Sequence, residues 1–232
     1  MKSLPLILLK DRGAFWARLE AQNLHWRDLA SLIALIGFAC ALYGSVMAGW
    51  RSPRLAVYVA VKLPVLFLGT TALVSVFNWM LAAFLGSGLS FKTTVFAVFA
   101  AMTIGSWILL ALVPVAFFFV YTGAAYSGIH SELQFTHNSI LMTHILFLAC
   151  AGVLGNAALL QGLRRLVRPR CPVAGLFGAW LAAFTLAGCQ LSWILRPFVG
   201  SPFFPIVFLR PDALDRNFYE FVFTEVLPFL LT

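Results

Sequence analysis

Residues 93–121 read TTVFAVFAAMTIGSWILLALVPVAFFFVY and contain no charged side chain. An α-helix rises about 1.5 Å per residue, so about 20 apolar residues are enough to cross a hydrocarbon core about 30 Å thick. The stretch is therefore longer than one transmembrane helix requires. Pro114 lies inside it and predicts a tilt or a kink in that helix.

Four further stretches have the same character and predict an all-α polytopic membrane protein, with five transmembrane helices within residues 29–195. They run from about Leu29 to Trp50, Leu55 to Leu85, Ile140 to Leu163 and Val173 to Leu195. Hydrophobic residues make up 62% of the 232 residues and charged residues 10%, whereas soluble domains have about 45–50% and about 25%. This composition excludes a water-soluble globular protein and a disordered chain.

Two segments flank the spans. Residues 1–28 are predicted to form a cytoplasmic segment with an interfacial helix, whose Phe15 and Trp16 lie in the headgroup zone. Residues 196–232 are predicted to form a tail folded against the outer membrane surface, because their prolines forbid a continuous helix. A short amphipathic helix is expected from Asp212 onward.

The formal net charge of +8 indicates the Lys and Arg excess that orients membrane proteins, rather than nucleic-acid binding. Four arginines lie within residues 164–170, whereas the loop between the third and fourth spans has neither Lys nor Arg. We therefore expect a cytoplasmic N-terminus and an outer C-terminus, which leaves ten of the sixteen Lys and Arg residues inside. The six outside are Arg51, Arg54, Lys62, Arg196, Arg210 and Arg216.

The first span carries small residues on one helix face. Such a face allows two helices to approach closely, because packing replaces the hydrophobic drive inside lipid. Its partner is either another helix of the same chain or another subunit. The predicted helix-packing residues are Ser31, Ala34, Gly37, Ala41, Gly44 and Ala48.

Polar groups inside the spans are costly in lipid and are therefore candidate functional residues. Lys62 is the only formally charged one, and its ammonium either reaches the outer interface or serves as a charge partner or ion-pathway residue. No Asp or Glu lies deep in a predicted span to pair with it, which disfavours a proton-coupled transporter. The predicted intramembrane polar residues are Lys62, Asn78, His144, Asn156 and Gln190.

The histidines and acids form no recognisable catalytic or metal-binding set. His130, Glu132, His137 and His144 are close in sequence, but the last two would lie about 10 Å apart on a helix, too far to bind one metal ion. The sequence contains no GxSxG, HExxH or P-loop motif. It predicts no catalytic residues, no metal and no cofactor, whereas a bound lipid is compatible with its Phe-rich surface.

Leu-Arg-Pro occurs twice near the predicted outer surface, at residues 195–197 and 209–211. A guanidinium binds phosphate through a planar fork of N–H donors. Alternatively, these arginines are interfacial anchors beside Trp193. The predicted lipid- or anion-binding residues are Arg196, Arg210, Arg51 and Arg54.

Residues 192–202, SWILRPFVGSP, resemble a string that follows the last span in uncharacterised bacterial membrane proteins of similar size. The resemblance covers the final span and the tail and implies no particular activity. The layout of five spans, with a cytoplasmic N-terminus and an outer C-terminus, is similar to that of the Yip1-type family in topology only. The expected location is a bacterial inner membrane.

Three classes of function remain open. The leading hypothesis is a non-catalytic subunit or scaffold of a larger inner-membrane complex. It would contact the lipid bilayer and either other membrane subunits or copies of itself, and not nucleic acid. The alternatives are a permease-like transport component without its own ATPase, and a membrane enzyme that acts on a phosphorylated lipid.

Overall fold

A computed structural model describes residues 3–124, 130–201 and 205–228, and their side chains except those of 123, 124, 130–136 and 226. Five of its helices, α3 to α7, are long and apolar enough to cross a membrane, which confirms the predicted all-α, five-span fold. A π-helical turn, Val222–Val226, follows α8, the last of the helices. The helices are α1 (Leu4–Lys10), α2 (Arg12–Glu20), α3 (Trp26–Gly49), α4 (Pro53–Phe84), α5 (Phe91–Ala124), α6 (His130–Leu166), α7 (Val173–Leu195) and α8 (Phe218–Phe221).

Local hydrogen bonds fix the starts of α3 and α4. The backbone N–H of His25 donates to Asp28 Oδ2 over 2.8 Å at the start of α3. At the start of α4, Ser52 Oγ accepts the backbone N–H of Leu55 over 3.1 Å, and a proline takes the first helical position. Both arrangements are typical of helix N-termini, where backbone N–H groups lack partners in the preceding turn.

Three spans add detail to the expectation. α4 and α5 continue as helices through Pro64 and Pro114. α6 begins at His130, well before the expected Ile140, because polar residues extend the helix beyond the apolar stretch.

α5 is the central helix of the bundle. In its most apolar window 67% of the residues are buried by the protein itself, against 11% in α7. α3 packs on both α4 and α5, α6 packs on α5, and α7 packs on α4. α6 and α7 make few contacts with each other, so they form the two sides of a gap in front of α4 and α5.

Two glycines permit the closest helix crossings. A Cβ on Gly44 of α3 would lie 2.7 Å from the carbonyl oxygen of Val59 in α4. A Cβ on Gly155 of α6 would lie 2.8 Å from the carbonyl oxygen of Ala101 in α5. Since real Cβ atoms do not approach a backbone oxygen so closely, each crossing requires glycine at this distance.

The N-terminal helices pack on the bundle. The indole N–H of Trp107 in α5 donates to the carbonyl oxygen of Pro5 over 3.1 Å, so α1 lies beside the middle of α5. The ring of Trp16 lies against Gly162 of α6. Phe15 and Trp16 are buried by the protein, because packing on the bundle removes more of their apolar surface than an interfacial position. Their predicted depth, at the level of the lipid headgroups, stays a prediction.

The last helix begins later than predicted. Residues 211–216 form turns, and α8 begins at Phe218. Asn217 supplies the cap, since its Oδ1 accepts the backbone N–H of Glu220 over 2.7 Å. The predicted start at Asp212 is therefore wrong.

Candidate functional site

The tail after α7, described within residues 196–228, folds over the bundle end where α3 ends and α4 begins. The indole Nε1 of Trp50 donates to the carbonyl oxygen of Val199 over 2.9 Å. Nε of Arg51 donates to the carbonyl oxygen of Ser201 over 3.2 Å. We call this folded tail the outer cap, after the expected orientation of the chain.

Lys62 of α4 is fully buried beneath the outer cap. Its Nζ donates to the carbonyl oxygen of Pro197 over 3.1 Å and lies 5.2 Å from the centre of the Phe208 ring. Both the oxygen and the ring face attract a cation. The ammonium thus meets the tail, which covers it.

Arg196 is engaged within the outer cap. Its Nη2 lies 2.9 Å from Asp212 Oδ2, and its guanidinium carbon lies 3.5 Å from the centre of the Trp193 ring. Nε1 of Trp193 donates to the carbonyl oxygen of Arg216 over 2.8 Å, and its ring centre lies 4.9 Å from that of Phe221. These contacts join the end of α7 to the turn and to α8.

The four predicted anion-binding arginines do not form one site. Nε of Arg54 donates to the Tyr58 hydroxyl over 2.8 Å, and Arg196 is held by its ion pair. Arg51 and Arg210 line a common recess, but its volume of about 10 Å³ is close to that of one water probe. The recess has no room for a phosphate group, so this geometry does not favour a phosphorylated-lipid enzyme.

The small-residue face of α3 packs in part within the chain. Gly44 lies against Val59, and a Cβ on Gly37 would lie 4.0 Å from Leu68 of α4. At these two positions the partner is a helix of the same chain. The remaining members are Ala48, which is buried, Ser31 and Ala41, which are half-buried, and Ala34, which is exposed.

Two of the predicted intramembrane polar residues link helices. His144 Nδ1 of α6 lies 2.8 Å from the Tyr43 hydroxyl of α3, within hydrogen-bond distance. Oε1 of Gln190 in α7 accepts the backbone N–H of Phe218 over 3.1 Å. Each therefore has a structural partner.

The histidines near the start of α6 were predicted not to share a metal ion. The His137 ring centre lies 5.6 Å from that of Trp50. The side chains of His130 and Glu132 lie outside the described residues. Within the described part of the chain, no group of three or more His, Cys, Asp or Glu side chains comes close enough to hold an ion.

The two remaining predicted polar residues, Asn78 and Asn156, line a cavity of about 290 Å³ between α4, α5, α6 and α7. Nδ2 of Asn156 donates to the carbonyl oxygen of Gly152 in its own helix. Thr70 and Trp180 also line the cavity, and sequence reasoning missed both. The small residues on α5 and α6 are the sequence signal that could have indicated this cavity, because they leave space beside larger side chains.

No protein-family model, curated protein or solved structure matches the chain. The likeness of residues 192–202 to uncharacterised bacterial proteins stays a prediction.

Proposed function

We propose that the protein is a non-catalytic membrane subunit or scaffold of a larger complex in a bacterial inner membrane, with a cytoplasmic N-terminus and an outer C-terminus. The outer cap is the observation that supports this proposal. Trp50, Arg51 and Lys62 bond to the tail, and Arg196 bonds to Asp212 within it. These hydrogen bonds hold the tail in place, so the outer cap is a fixed surface.

A fixed surface suits docking, because little conformational entropy is lost when a partner binds to it. Leu214 lies on the outer cap with 81% of its surface exposed. Asp212 and Asp215, both exposed, flank it in sequence. An apolar anchor within a polar rim is the usual composition of a binding hot spot. We expect the partner to be another membrane protein with basic residues around an apolar pocket.

Site-specific photo-crosslinking in intact membranes tests the proposal. A crosslinker replaces Leu214 in one variant and Phe84 in the control, because Phe84 is 86% exposed and lies at the opposite end of α4. We expect a discrete protein adduct from position 214 and none from position 84. Mass spectrometry of the adduct distinguishes a different subunit from a second copy of this chain. Adducts with lipid alone at both positions would contradict docking.

A transport component without its own ATPase is a second candidate, favoured by the cavity among the spanning helices. Lys62 does not support it, because this side chain is bonded to the tail and does not line the cavity. The test is movement of a fluorescent lipid between the leaflets of reconstituted vesicles. Gly188→Leu, which places a side chain in the cavity wall, should slow this movement. Equal movement in wild-type, variant and protein-free vesicles would exclude lipid transport.

A further inference from the structure

The cavity among α4, α5, α6 and α7 combines apolar walls with unpartnered polar atoms. Thr70 Oγ1, Asn78 Oδ1 and Trp180 Nε1 have no hydrogen-bond partner among the described residues. The exposed fractions of these residues are 2%, 2% and 1%, and all three line the cavity. Buried polar atoms in native proteins are almost always hydrogen-bonded, so these three atoms lack partners that the described residues do not supply, and the adjoining cavity has room for a ligand.

Two of these atoms lie at the same depth. A Cβ on Gly69 of α4 would contact Leu191 of α7, and one on Gly188 would lie 3.6 Å from Thr70, so α4 and α7 run antiparallel. Asn78 follows Thr70 by eight residues, and Trp180 precedes Gly188 by the same number. At about 1.5 Å per residue, Asn78 and Trp180 therefore each lie about 12 Å along the helix axis from the level of Thr70, toward the same end of the bundle.

The two polar atoms at this depth, Trp180 Nε1 and Asn78 Oδ1, determine which chemical group of a ligand they would bind. An indole N–H only donates a hydrogen bond, and an amide oxygen only accepts one. A hydroxyl group serves both, because its oxygen accepts from Trp180 while its proton is donated to Asn78. None of the described residues that line the cavity is charged, and a buried phosphate without a cation is very unfavourable. The ligand is therefore neutral.

The form of the cavity suits the head and first carbons of a lipid. Its volume of about 290 Å³ is many times the roughly 10–15 Å³ that one water molecule needs on the same measure. Gly152 and Leu181, which line it, are exposed, so it opens between α6 and α7 into the region of the bilayer. Small residues of α5 and α6 and aromatic rings of α4 and α7 line it, so most of its wall is apolar. The wall residues concerned are the small residues Ala101, Gly105, Ala151 and Gly155 and the rings of Phe67 and Phe184.

We propose that this cavity binds a neutral lipid through a single hydroxyl head, with Trp180 Nε1 as donor and Asn78 Oδ1 as acceptor. The lipid enters between α6 and α7, and the rest of its tail stays in the bilayer. Diacylglycerol and long-chain prenyl alcohols share this chemistry. The proposal stands independently of the docking surface on the outer cap.

Binding to the protein in lipid nanodiscs tests this assignment. The probes are fluorescent diacylglycerol, a fluorescent prenyl alcohol, the methyl ether of each, and phosphatidic acid. We expect at least one of the two alcohols to bind, and the alcohol that binds identifies the class of lipid that the cavity accepts. Its methyl ether should bind about tenfold more weakly, because it cannot donate to Asn78. Phosphatidic acid should not bind.

Matched variants separate the site from general effects on folding. Trp180→Phe keeps the ring and removes the N–H, and Asn78→Leu keeps the volume and removes the oxygen. Each should weaken binding of the alcohol by about tenfold. Trp107→Phe is the control, because it removes an indole N–H that bonds to Pro5 outside the cavity. It should leave binding unchanged.

The thermal stability of lipid-depleted protein checks the folded state of each variant. Both tryptophan variants lose the volume of one fused ring, so each should lower it, and Trp107→Phe should have the additional loss of a hydrogen bond within the protein. The assignment is overturned if neither alcohol binds, if phosphatidic acid binds as well as they do, or if Trp180→Phe binds as tightly as Trp107→Phe. Water alone in the cavity would produce the first of these results.

Discussion

Nζ of Lys62 donates a hydrogen bond of 3.1 Å to the carbonyl oxygen of Pro197, although 135 residues separate them in the chain. The bond connects the only formally charged side chain inside a predicted span to the start of the tail. It places an ammonium group under the outer cap, with the ring of Phe208 on another side. The position of the tail therefore depends on a residue within α4.

Lys62→Met should loosen the outer cap. Loss of one hydrogen bond is worth about 0.5–1.5 kcal/mol, so tryptic cleavage after Arg216 should become about two- to tenfold faster, since proteolysis follows the population of the open form. Global thermal stability should change less, because burial of an ammonium is itself unfavourable. Arg54→Met is the control, since Nε of Arg54 donates a hydrogen bond to the nearby Tyr58 hydroxyl. Equal cleavage of the tail in wild-type and Lys62→Met protein would contradict the anchoring.

Gly44→Ala should destabilise the crossing of α3 and α4. The added Cβ would lie 2.7 Å from the Val59 carbonyl oxygen, and overpacking of this kind costs about 1–3 kcal/mol. Thermal unfolding in detergent measures the effect. Gly49→Ala is the matched control, because a Cβ there meets nothing within 4 Å, and it should be neutral or slightly stabilising. If both variants unfold at the wild-type temperature, the helices do not cross as closely as described.

Arg196 should contribute more by stacking on Trp193 than by pairing with Asp212. The Asp212 side chain is 55% exposed, and exposed ion pairs contribute about 0–1 kcal/mol. We therefore expect Asp212→Asn to have a small effect on tail cleavage. Arg196→Lys keeps the charge but loses the planar stack, so it should release the tail more than Asp212→Asn does. The opposite order would make the ion pair the dominant contact.

The proposed orientation predicts which residues react from outside the cell. In a chain with its four cysteines replaced by alanine, Glu220→Cys, at an exposed position of the tail, should react with a membrane-impermeant maleimide in intact cells. Arg170→Cys, which is exposed in the loop between α6 and α7, should react only after permeabilisation. The reverse pattern would invert the orientation while leaving the five-span fold intact.

The five spans were predictable because length and hydropathy alone decide whether a helix can cross a bilayer. The bounds of α7, Val173–Leu195, agree with the sequence-based estimate. α6 was extended to His130 by polar residues that carry no hydropathy signal. The start of α8 was misplaced, because Asp212 and Asn217 are both good capping residues and only tertiary packing selects between them.

The cavity was only partly predictable. Asn78 and Asn156 stand out as polar residues in apolar helices, so the sequence marks them. Trp180 does not stand out, because an indole in a span is ordinary, and whether its N–H finds a partner depends on residues from three other helices. Likewise, the sequence predicted an anion site from two Leu-Arg-Pro strings at one surface, whereas Arg51, Arg54 and Arg196 bond to Ser201, Tyr58 and Asp212.

The contact between Pro5 and Trp107 has a consequence for biosynthesis. The two residues are 102 positions apart, and ribosomes add about 5–20 residues per second, so the first helix is made roughly 5–20 seconds before its acceptor site on α5 exists. During that interval an apolar peptide must wait beside the insertion machinery. α1 can therefore dock in its final position only after α5, the third span, has entered the bilayer.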